Sequence, residues 1–273
     1  MKKNGLNIRP SGAALGAEVV GLDLREALDA RMAEEVRQAF LQHSVLLFRG
    51  QELSKRGQVD FCRLFGEPVP HPTNTRDRDE DVPEICIIAN GQPGAVGALG
   101  NDEVAYHADL VFLPEPGAVS MLYCLETPEG GDTWWTSGYA AYQALAAPVQ
   151  ERLRGLRAVY RHRRPEYNPP EPAAHPLVCT HPESGRRTLF LSPGSARCVQ
   201  GMADAESAGL LGELSAHAVQ ERFAWRHRWQ PGDLVVWDNR CTLHRRAAFD
   251  PAARRYMRRV QTLGVPHRAN EST

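Results

Sequence analysis

The sequence predicts a mainly β fold, either a barrel or a jelly roll, that carries helical insertions outside its sheets. Three observations lead to this fold class. Short apolar stretches of strand length recur along the chain and dominate residues 223–263. Helical periodicity is limited to a few segments. Neither an internal repeat nor a clear linker divides the 273 residues, so we expect a single domain over residues 1–273.

The N-terminal part of the chain predicts a strand, two helices and a second strand. Residues 6–24 are short apolar stretches separated by glycines, which is typical of a strand with its turns. Residues 44–48 form a buried strand, and Ser54 begins a helix that we expect to end near Phe65. Between these strands, apolar side chains recur every four residues and predict an amphipathic helix that starts near residue 26: Leu28, Met32, Val36 and Phe40.

Two polar, proline-rich segments predict long loops in the middle of the chain. Residues 68–100 are rich in Pro, Gly, Asn and Asp, and they contain one short strand candidate at residues 85–88. Residues 161–176 form the second segment. Long loops in a compact domain are commonly functional. Residues 72–100 and 161–176 are therefore candidate lids over a bound ligand.

The remaining elements alternate between strands and short helices. We expect strands at residues 118–125 and 133–136, followed by a helix that Ser137 caps and that runs to about Leu145. The later elements are a helical piece at 148–156, a β-hairpin from 177–180 and 188–191, a helix at 204–219, and strands at 223–229, 234–237 and 257–263.

Composition and charge exclude several classes of protein. A formal net charge of -1 gives no global attraction to nucleic acid or to an anionic membrane. No apolar run approaches the ~18 residues of a membrane span, and the N-terminus lacks an apolar signal region. The 6 cysteines are scattered and read as free thiols. We therefore expect a cytoplasmic protein that acts on a small molecule, as either a monomer or a homo-oligomer.

Three residues carry the strongest chemical signal. His107 and Asp109 lie two positions apart, and His244 follows the apolar run 234–237 and a polar turn. Two histidines and one carboxylate suit a non-haem Fe(II) site, because three protein ligands on one face of an octahedron leave the opposite face open for cosubstrate and dioxygen. Residues i and i+2 of a strand point to the same side, so we expect His107 and Asp109 to face a barrel mouth together.

A second histidine and carboxylate, His181 and Glu183, also lie two positions apart. Pro182 and the following Glu-Ser-Gly-Arg sequence place them at the end of a hairpin, where Glu183 begins the turn. We therefore interpret this pair as structural, and we expect His181 to lie on the surface.

Two arginines follow His244 in the last predicted strand. A guanidinium matches the fork of a carboxylate with two hydrogen bonds, and two arginines inside a pocket require anions to meet them. Alternation along a strand places four side chains on one face: Arg255, Met257, Arg259 and Gln261. The pattern predicts a pocket that holds two anionic groups.

Ordered motifs over nearly the whole chain resemble the taurine dioxygenase family of Fe(II)- and 2-oxoglutarate-dependent oxygenases, which includes chlorophenoxyacetate dioxygenase. The motifs are GAEVVGLD at 16–23, FGE at 65–67 leading to HP at 71–72, YHAD at 106–109, GGDTW at 130–134, THPESGR at 180–186, and WDNR at 237–240 with His244. The resemblance implies a double-stranded β-helix, a jelly roll of the cupin type, which agrees with the strand-rich pattern.

The resemblance also implies residue roles. His107, Asp109 and His244 match the iron ligands of the family. Thr133 and Arg255 match the residues that hold the distal carboxylate of 2-oxoglutarate, whose keto acid end chelates iron. Two further residues match positions that contact an anionic substrate in taurine dioxygenase: His71 and Arg259.

Two positions near the substrate depart from the taurine enzyme. Asn74 stands where that enzyme has a tyrosine, and Glu103 stands where it has an asparagine. Taurine is therefore a poor expectation as substrate. Glu103 is a candidate partner for a ligand ammonium, and an exposed loop acid is its alternative. The retained Asp109 argues against a halogenase, because that subgroup replaces the carboxylate with a small residue.

The expected reaction converts 2-oxoglutarate and dioxygen to succinate and carbon dioxide while a small anionic, amino-acid-derived substrate is hydroxylated or desaturated. A catabolic role, on a sulfonate or an ether, is the main alternative. Two alternatives of other classes are a non-catalytic barrel that binds a small acid and a zinc hydrolase. Neither explains the three ligands together with the paired arginines.

Overall fold

The computed structural model describes residues 5–90 and 100–264 of the chain. Their strands, in chain order, are β1 (Asn7–Pro10), β2 (Ala17–Val20), β3 (Val45–Phe48), β4 (Pro68–Val69), β5 (Cys86–Ala89), β6 (Val104–His107), β7 (Gly117–Glu126), β8 (Thr133–Ser137), β9 (Arg157–Tyr160), β10 (Ala173–Pro176), β11 (Val178–Thr180), β12 (Arg187–Leu189), β13 (Ala196–Val199), β14 (Ala224–His227), β15 (Leu234–Asp238), β16 (Thr242–Arg246) and β17 (Tyr256–Leu263). The helices are α1 (Ala30–His43), α2 (Lys55–Cys62), α3 (Gly138–Gln143), α4 (Ala147–Arg152) and α5 (Asp204–Ala218), with 3-10 turns at Pro165–Tyr167 and Glu221–Phe223.

Two sheets form the frame of the fold. The larger is an 8-stranded sheet in the order β1-β2-β3-β15-β7-β17-β4, with β5 also paired to β17. The smaller is a 4-stranded sheet in the order β14-β8-β16-β6. Strand pairs in both sheets are antiparallel except β2 with β3, within the residues described. This arrangement confirms the predicted jelly roll.

The strand β15 shows why its apolar run is continuous. It lies between β3 and β7, so both of its faces are covered. Leu234 and Val236 face a cluster that includes residues of α1 and α2, whereas Val235 and Trp237 face a second cluster that includes Trp135 of the smaller sheet. A strand buried on both sides reads as an uninterrupted apolar stretch. The second cluster is the floor beneath the candidate site.

The first two helices begin where local capping allows. The Asp29 carboxylate accepts a hydrogen bond from the Met32 amide, so α1 starts at Ala30 rather than near residue 26. The Ser54 hydroxyl accepts from the Gly57 amide, as its position predicted. The helix α2 ends at Cys62, three residues before the predicted end, and Phe65 then packs against the ring of Phe40.

A third apolar cluster lies around α3, α4 and α5. The predicted hairpin is present as β11 and β12. The end of the second candidate lid, residues 161–176, is the strand β10, which pairs with β9 and carries the buried His175. Of the first candidate lid, residues 91–99 lie outside the described part of the chain. Among the helices described, none has the length and apolar character that crossing a bilayer requires.

Candidate metal and cosubstrate site

Neighbouring strands of the smaller sheet position the two histidines. His107 is the last residue of β6, and His244 lies in the middle of β16. The strands pair with these two residues in register, and the centroids of the imidazole rings are 4.1 Å apart. Residues 137 positions apart in the sequence therefore present their rings side by side. The polar turn at 238–240 makes this possible by returning the chain from β15 into β16.

Asp109 reaches the histidines from a turn and not from a strand. The strand β6 ends at His107, so the expectation that strand alternation aligns His107 with Asp109 was wrong in its local detail. The chain turns instead, with Leu110 in the left-handed region at φ 54. Gly117 permits this path, because a Cβ there would lie 2.8 Å from the Asp109 carbonyl oxygen.

The three side chains converge on one point. Asp109 Oδ1 lies 3.6 Å from His107 Nε2 and 3.8 Å from His244 Nε2. One potential ligand atom from each residue falls within 4.8 Å of the others. Among the residues described, this is the one group of three or more His, Cys, Asp or Glu side chains that meets this criterion.

The protonation of the imidazoles suits metal binding. His107 Nδ1 lies 2.9 Å from the Ala105 carbonyl oxygen, which can only accept, so Nδ1 carries a proton and Nε2 is the ring nitrogen that faces Asp109. Burial, together with the neighbouring His107, lowers the pKa of His244 to about 3. His244 is therefore neutral at physiological pH and can offer a ring nitrogen to a cation.

The Asp109 carboxylate is buried and ionised. Burial raises the pKa of its carboxyl group, but the facing imidazoles and the guanidinium of Arg259 outweigh burial and hold this pKa well below its usual range. Its Oδ2 atom accepts hydrogen bonds from the Ser120 hydroxyl at 2.7 Å and from Gln261 Nε2 at 2.9 Å. Its backbone amide donates to Asn239 Oδ1 at 3.2 Å.

The supporting residues Ser120, Gln261 and Asn239 were not predicted as parts of the site. Ser120 and Gln261 interrupt apolar strands, and both are buried, at 0% and 3% exposed. Asn239 belongs to the turn at 238–240 and is also buried. A polar residue at an inward position of a buried strand was the available signal, because such a residue needs a partner inside the protein.

A cavity of roughly 490 Å³, partly open to solvent, adjoins the three residues. Both histidines line it, and so do apolar side chains of β5, β6 and β7. Its remaining lining consists of aromatic and polar side chains from both sheets: Thr133, Trp135, Trp237, Arg246, Arg255 and Arg259. The cavity therefore contains three of the predicted ligand-binding residues beside the two histidines.

Arg255 has no anionic partner in the part of the chain that the structure describes. It is 4% exposed, and no carboxylate of residues 5–90 or 100–264 lies within 4.0 Å of its guanidinium. Burial, followed by repulsion from Arg246, lowers the pKa of Arg255 to about 9. Hydrogen bonds between its backbone and Asn90 hold the chain in place, at 2.7 Å for the Arg255 amide. Arg255 remains charged at neutral pH and lines the cavity without a carboxylate of the described residues beside it.

Thr133 and Arg246 complete this end of the cavity. The Thr133 hydroxyl accepts a hydrogen bond from Trp229 Nε1 at 2.9 Å, which leaves its own proton to be donated. Arg246, which sequence analysis did not single out, donates to the carbonyl oxygens of Gly100 at 3.2 Å and Asp102 at 2.7 Å. It thus ties the segment that precedes β6 to the wall of the cavity.

Arg259 lines the cavity beside Asp109, whereas His71 is not among the lining residues. Arg259 Nη1 is 3.8 Å from Asp109 Oδ1, and its Nη2 is 3.9 Å from Cys86 Sγ. His71 Nδ1 accepts from the amide of Asn74, at 3.0 Å. Burial, then the charge of Arg259, lowers the pKa of His71 to about 3. His71 is therefore neutral, with its proton on Nε2 available for donation.

Asn74 and Glu103, the two departures from the taurine enzyme, have different surroundings. Asn74 is buried, and its Nδ2 donates to Asp77 Oδ2 at 2.6 Å. Glu103 is 60% exposed and pairs with Arg245 at 3.3 Å. The structure does not bring either side chain into the lining of the cavity. Glu103 has the surroundings of an exposed loop acid.

The competing pair at the hairpin is structural, but one expectation about it was wrong. His181 is buried at 2% exposed instead of lying on the surface. Its Nε2 contacts Asp238 Oδ2 at 2.9 Å, and its Nδ1 accepts from the Ser184 amide at 3.1 Å. Glu183 pairs with Arg240 at 2.9 Å. The polar turn at 238–240 needs a buried partner for Asp238, and His181 supplies it.

Comparison with known proteins decides the family. The sequence model described as "Taurine catabolism dioxygenase TauD, TfdA family" matches residues 7–261. The chain belongs to this family. The TauD/TfdA match covers both sheets and all of the cavity residues, so it agrees with the motifs on which the resemblance rested.

Curated relatives of this TauD/TfdA chain include two enzymes with different names. The alpha-ketoglutarate-dependent 2,4-dichlorophenoxyacetate dioxygenase of Cupriavidus pinatubonensis is 38% identical over 93% of this chain and 96% of its own length. Pentalenolactone F synthase of Streptomyces avermitilis is 32% identical over 93% of each chain. The TauD/TfdA protein is accordingly a 2-oxoglutarate-dependent dioxygenase, an oxidoreductase. This family membership excludes the two alternative classes, a zinc hydrolase and a non-catalytic barrel.

Solved structures show the same fold. A taurine dioxygenase from Burkholderia xenovorans superposes with a TM-score of 0.87 at 32% identity, covering 99% of this chain and 93% of that one. AAD-2 in complex with Mn(II) and N-oxalylglycine superposes with a TM-score of 0.80 at 30% identity, covering 96% and 98%. Both similarities extend over the full jelly roll.

Proposed function

We propose that this TauD/TfdA protein uses Fe(II), 2-oxoglutarate and dioxygen to hydroxylate or desaturate a small anionic, amino-acid-derived substrate, releasing succinate and carbon dioxide. One observation carries the proposal. His107, Asp109 and His244 converge beside a cavity that is also lined by the buried Arg255, which has no carboxylate partner among the described residues. A cation site and an anion site in one cavity match a ligand that has a chelating end and a distal carboxylate.

The three donors fit a divalent iron. Both imidazoles offer Nε2, and Asp109 offers Oδ1, so the set is two imidazole nitrogens and one carboxylate oxygen. That set is typical of non-haem Fe(II) oxygenases with open coordination positions. When bound there, iron would supply the activation of dioxygen, while the protein supplies binding and orientation.

Arg255 and Thr133 support binding of 2-oxoglutarate. Both line the cavity, and Arg255 retains its charge with no carboxylate of residues 5–90 or 100–264 to neutralise it. A carboxylate that enters would accept two hydrogen bonds from the guanidinium, and the Thr133 hydroxyl, already accepting from Trp229, would donate a third. Binding the dianion would thus remove an electrostatic penalty that the empty fold carries.

Arg259 and His71 support binding of an anionic substrate. Arg259 lies beside the metal ligands, and the nearest carboxylate within the described residues is Asp109, at 3.8 Å. The His71 ring is neutral and carries its proton on Nε2. An anionic group held by these two donors would place the adjoining carbon near the metal. The Asn74 amide nitrogen is bonded to Asp77, so Asn74 would contribute its side-chain oxygen to the substrate.

Glu103 is the candidate for recognising an ammonium group. Its pairing with Arg245 is exposed, and an exposed ion pair of this kind holds its partners weakly. Replacement of Arg245 by a substrate ammonium therefore needs little free energy. Glu103 is outside the cavity lining, so it would have to turn toward the cavity to meet the ammonium of an amino-acid-derived substrate.

A catabolic role on a sulfonate or an ether is the second candidate. It is favoured by the 38% identity to an enzyme named for 2,4-dichlorophenoxyacetate, an aryl ether, and by the likeness to a taurine dioxygenase. The residues at positions 74 and 103 count against taurine itself. We further propose that residues 1–273 form one catalytic domain, with residues 72–100 and 161–176 as lids. We also propose that the protein acts in a reducing compartment such as the cytoplasm. The free state of the described cysteines supports that compartment.

Two measurements test the function. Anaerobic addition of Fe(II) and 2-oxoglutarate to the purified protein should give a weak visible charge-transfer band, and Zn(II) should give none. Sulfonates, amino acids and aryl carboxylates are then screened for stimulation of succinate release. Stimulation by amino acids or their derivatives supports the first candidate, and stimulation by sulfonates or aryl carboxylates alone supports the second. Absence of the charge-transfer band would contradict both.

A further inference from the structure

The second oxygen of Asp109 is held by a row of side chains that crosses three strands of the larger sheet. Trp237 of β15 is in register with Ser120 of β7, and Ser120 is in register with Gln261 of β17. Asn239 follows β15 at the end of this row. Pairing brings together residues that are more than a hundred positions apart in the sequence.

The direction of each hydrogen bond in the row is fixed by the first donor. The indole nitrogen of Trp237 can only donate, and it lies 3.0 Å from Asn239 Oδ1. The Asp109 amide donates to the same oxygen. The amide group of Asn239 therefore has one allowed orientation, in which its Nδ2 donates to Ser120 Oγ at 2.8 Å.

The Ser120 hydroxyl is thereby directed at Asp109. Its oxygen receives N–H groups from Asn239 and from Gln261 Nε2, the latter at 2.8 Å. The hydroxyl proton points to Asp109 Oδ2 at 2.7 Å, and Gln261 Nε2 also contacts Oδ2 at 2.9 Å. An ionised carboxylate is only an acceptor, so two donors occupy this oxygen.

The other carboxylate oxygen has different surroundings. Asp109 Oδ1 faces the Nε2 atoms of both histidines and Nη1 of Arg259. We propose that the row formed by Trp237, Asn239, Ser120 and Gln261 is a positioning device that offers Oδ1 alone to the metal. This inference rests on the proposed metal site and concerns how that site keeps its coordination positions open.

The consequence concerns cosubstrate binding. If both oxygens of Asp109 bound the metal, the carboxylate would occupy a position that 2-oxoglutarate or dioxygen needs. The hydrogen bonds of the row would keep Oδ2 away from a metal bound by Oδ1. Outer partners of this kind typically change metal affinity by about 10- to 100-fold when they are removed.

The test uses Co(II) as the metal probe, without oxygen, in the full chain. Ser120→Ala removes one of the two donors to Oδ2. Trp237→Phe removes one of the two donors that orient the Asn239 amide and keeps the polar groups that donate to the Asp109 side chain. We expect Ser120→Ala to weaken Co(II) binding by about 10- to 100-fold and Trp237→Phe to weaken it toward the lower limit. Both variants should also bind 2-oxoglutarate more weakly in the Co(II) form, with an altered visible Co(II) spectrum.

Ser207→Ala is the matched control. Ser207 is a buried serine of α5 at 1% exposed, and its hydroxyl accepts from the Val199 amide at 2.7 Å in the third apolar cluster. We expect wild-type Co(II) and 2-oxoglutarate binding from this variant. Thermal unfolding of all three variants separates lost stability from lost affinity.

The outcomes separate the two proposals. Wild-type Co(II) affinity and spectrum in both Ser120→Ala and Trp237→Phe would overturn the positioning role and leave the metal site standing. A wild-type protein that binds no Co(II) would overturn the metal site and the row together. If Ser120→Ala does not fold, Trp237→Phe decides alone, since it keeps the polar atoms around the Asp109 side chain.

Discussion

Arg255→Met should make the protein more stable and a poorer binder of 2-oxoglutarate at the same time. Methionine replaces the guanidinium with an apolar chain of similar length, and the hydrogen bond from the residue 255 amide to Asn90 is retained. Arg255 is buried, without a carboxylate partner in the part of the chain described, and beside Arg246. The fold therefore carries an uncompensated charge whose use is to bind an anion.

The expected gain in the free energy of unfolding follows from the pKa of Arg255. Burial and Arg246 lower it to about 9, against an ordinary arginine value of roughly 12.5, and each pH unit corresponds to about 1.4 kcal/mol. The upper limit of the penalty is thus about 5 kcal/mol. Replacing a buried charge by an apolar side chain typically recovers about 1–4 kcal/mol. For a chain of this size, each kcal/mol shifts Tm by about 2–4 °C.

The loss of 2-oxoglutarate binding free energy in Arg255→Met is similar in size to the gain in stability. Hydrogen bonds to charged groups contribute about 1.5–3 kcal/mol each. Two such bonds from one guanidinium correspond to at least about 3 kcal/mol, which is roughly a 100-fold increase in the dissociation constant of 2-oxoglutarate.

The assay combines thermal unfolding with titration of 2-oxoglutarate into the Mn(II)-loaded, oxygen-free protein. A folded-state pKa below the unfolded value means that the penalty is fully present below about pH 9 and diminishes as the pH rises above it. The stability advantage of Arg255→Met should therefore be constant between pH 6 and about pH 8, and smaller above about pH 9.

Arg258→Met is the control for the same strand. Arg258 is also buried, but it points to the opposite face of β17 and donates to the Leu53 carbonyl oxygen. We expect unchanged 2-oxoglutarate affinity from this variant and no gain in stability. A variant Arg255→Met that is less stable than wild type, or that binds 2-oxoglutarate equally well, would refute the reasoning.

Three further predictions concern other parts of the site. Asp109→Ala should abolish succinate formation, because it removes the charged ligand; measurable succinate from 2-oxoglutarate would contradict that role. Arg259→Ala should uncouple the reaction, so that 2-oxoglutarate is still consumed while substrate oxidation is lost, and an unaltered ratio of product to succinate would exclude it from substrate binding. His181→Ala should lower the free energy of unfolding by about 1–3 kcal/mol, because Asp238 loses a buried donor; denaturant unfolding measures this, and a change below about 0.5 kcal/mol would count against it.

Local sequence signals were reliable where the physical cause was local. The caps at Ser54 and Ser137 and the hairpin at 178–189 depend on neighbouring residues, and the structure has them. The predicted helix starts and ends deviated by a few residues, since Asp29 was not recognised as a cap and α2 ends before Phe65. The burial of His181 was missed because its partner, Asp238, lies 57 residues away.

Some features of the site were likewise predictable from the sequence, and others were not. The residue types His107, Asp109 and His244, followed by Arg255 and Arg259, indicated a metal and two anions before any fold was known. The turn that carries Asp109 to the histidines, the absence of an anion near Arg255 in the described chain, and the row beneath the carboxylate were not readable from the sequence.

What the sequence determined by itself was the chemistry, since donor atoms, charges and the apolar pattern of strands are properties of individual residues and their spacing. What only the tertiary structure decided was which groups meet. In the sequence, Ser120 and Gln261 are only polar residues within apolar strands. The pairing of β7 with β17 places both against Asp109. Register between distant strands is set by the packing of the whole sheet, and no local segment contains that information.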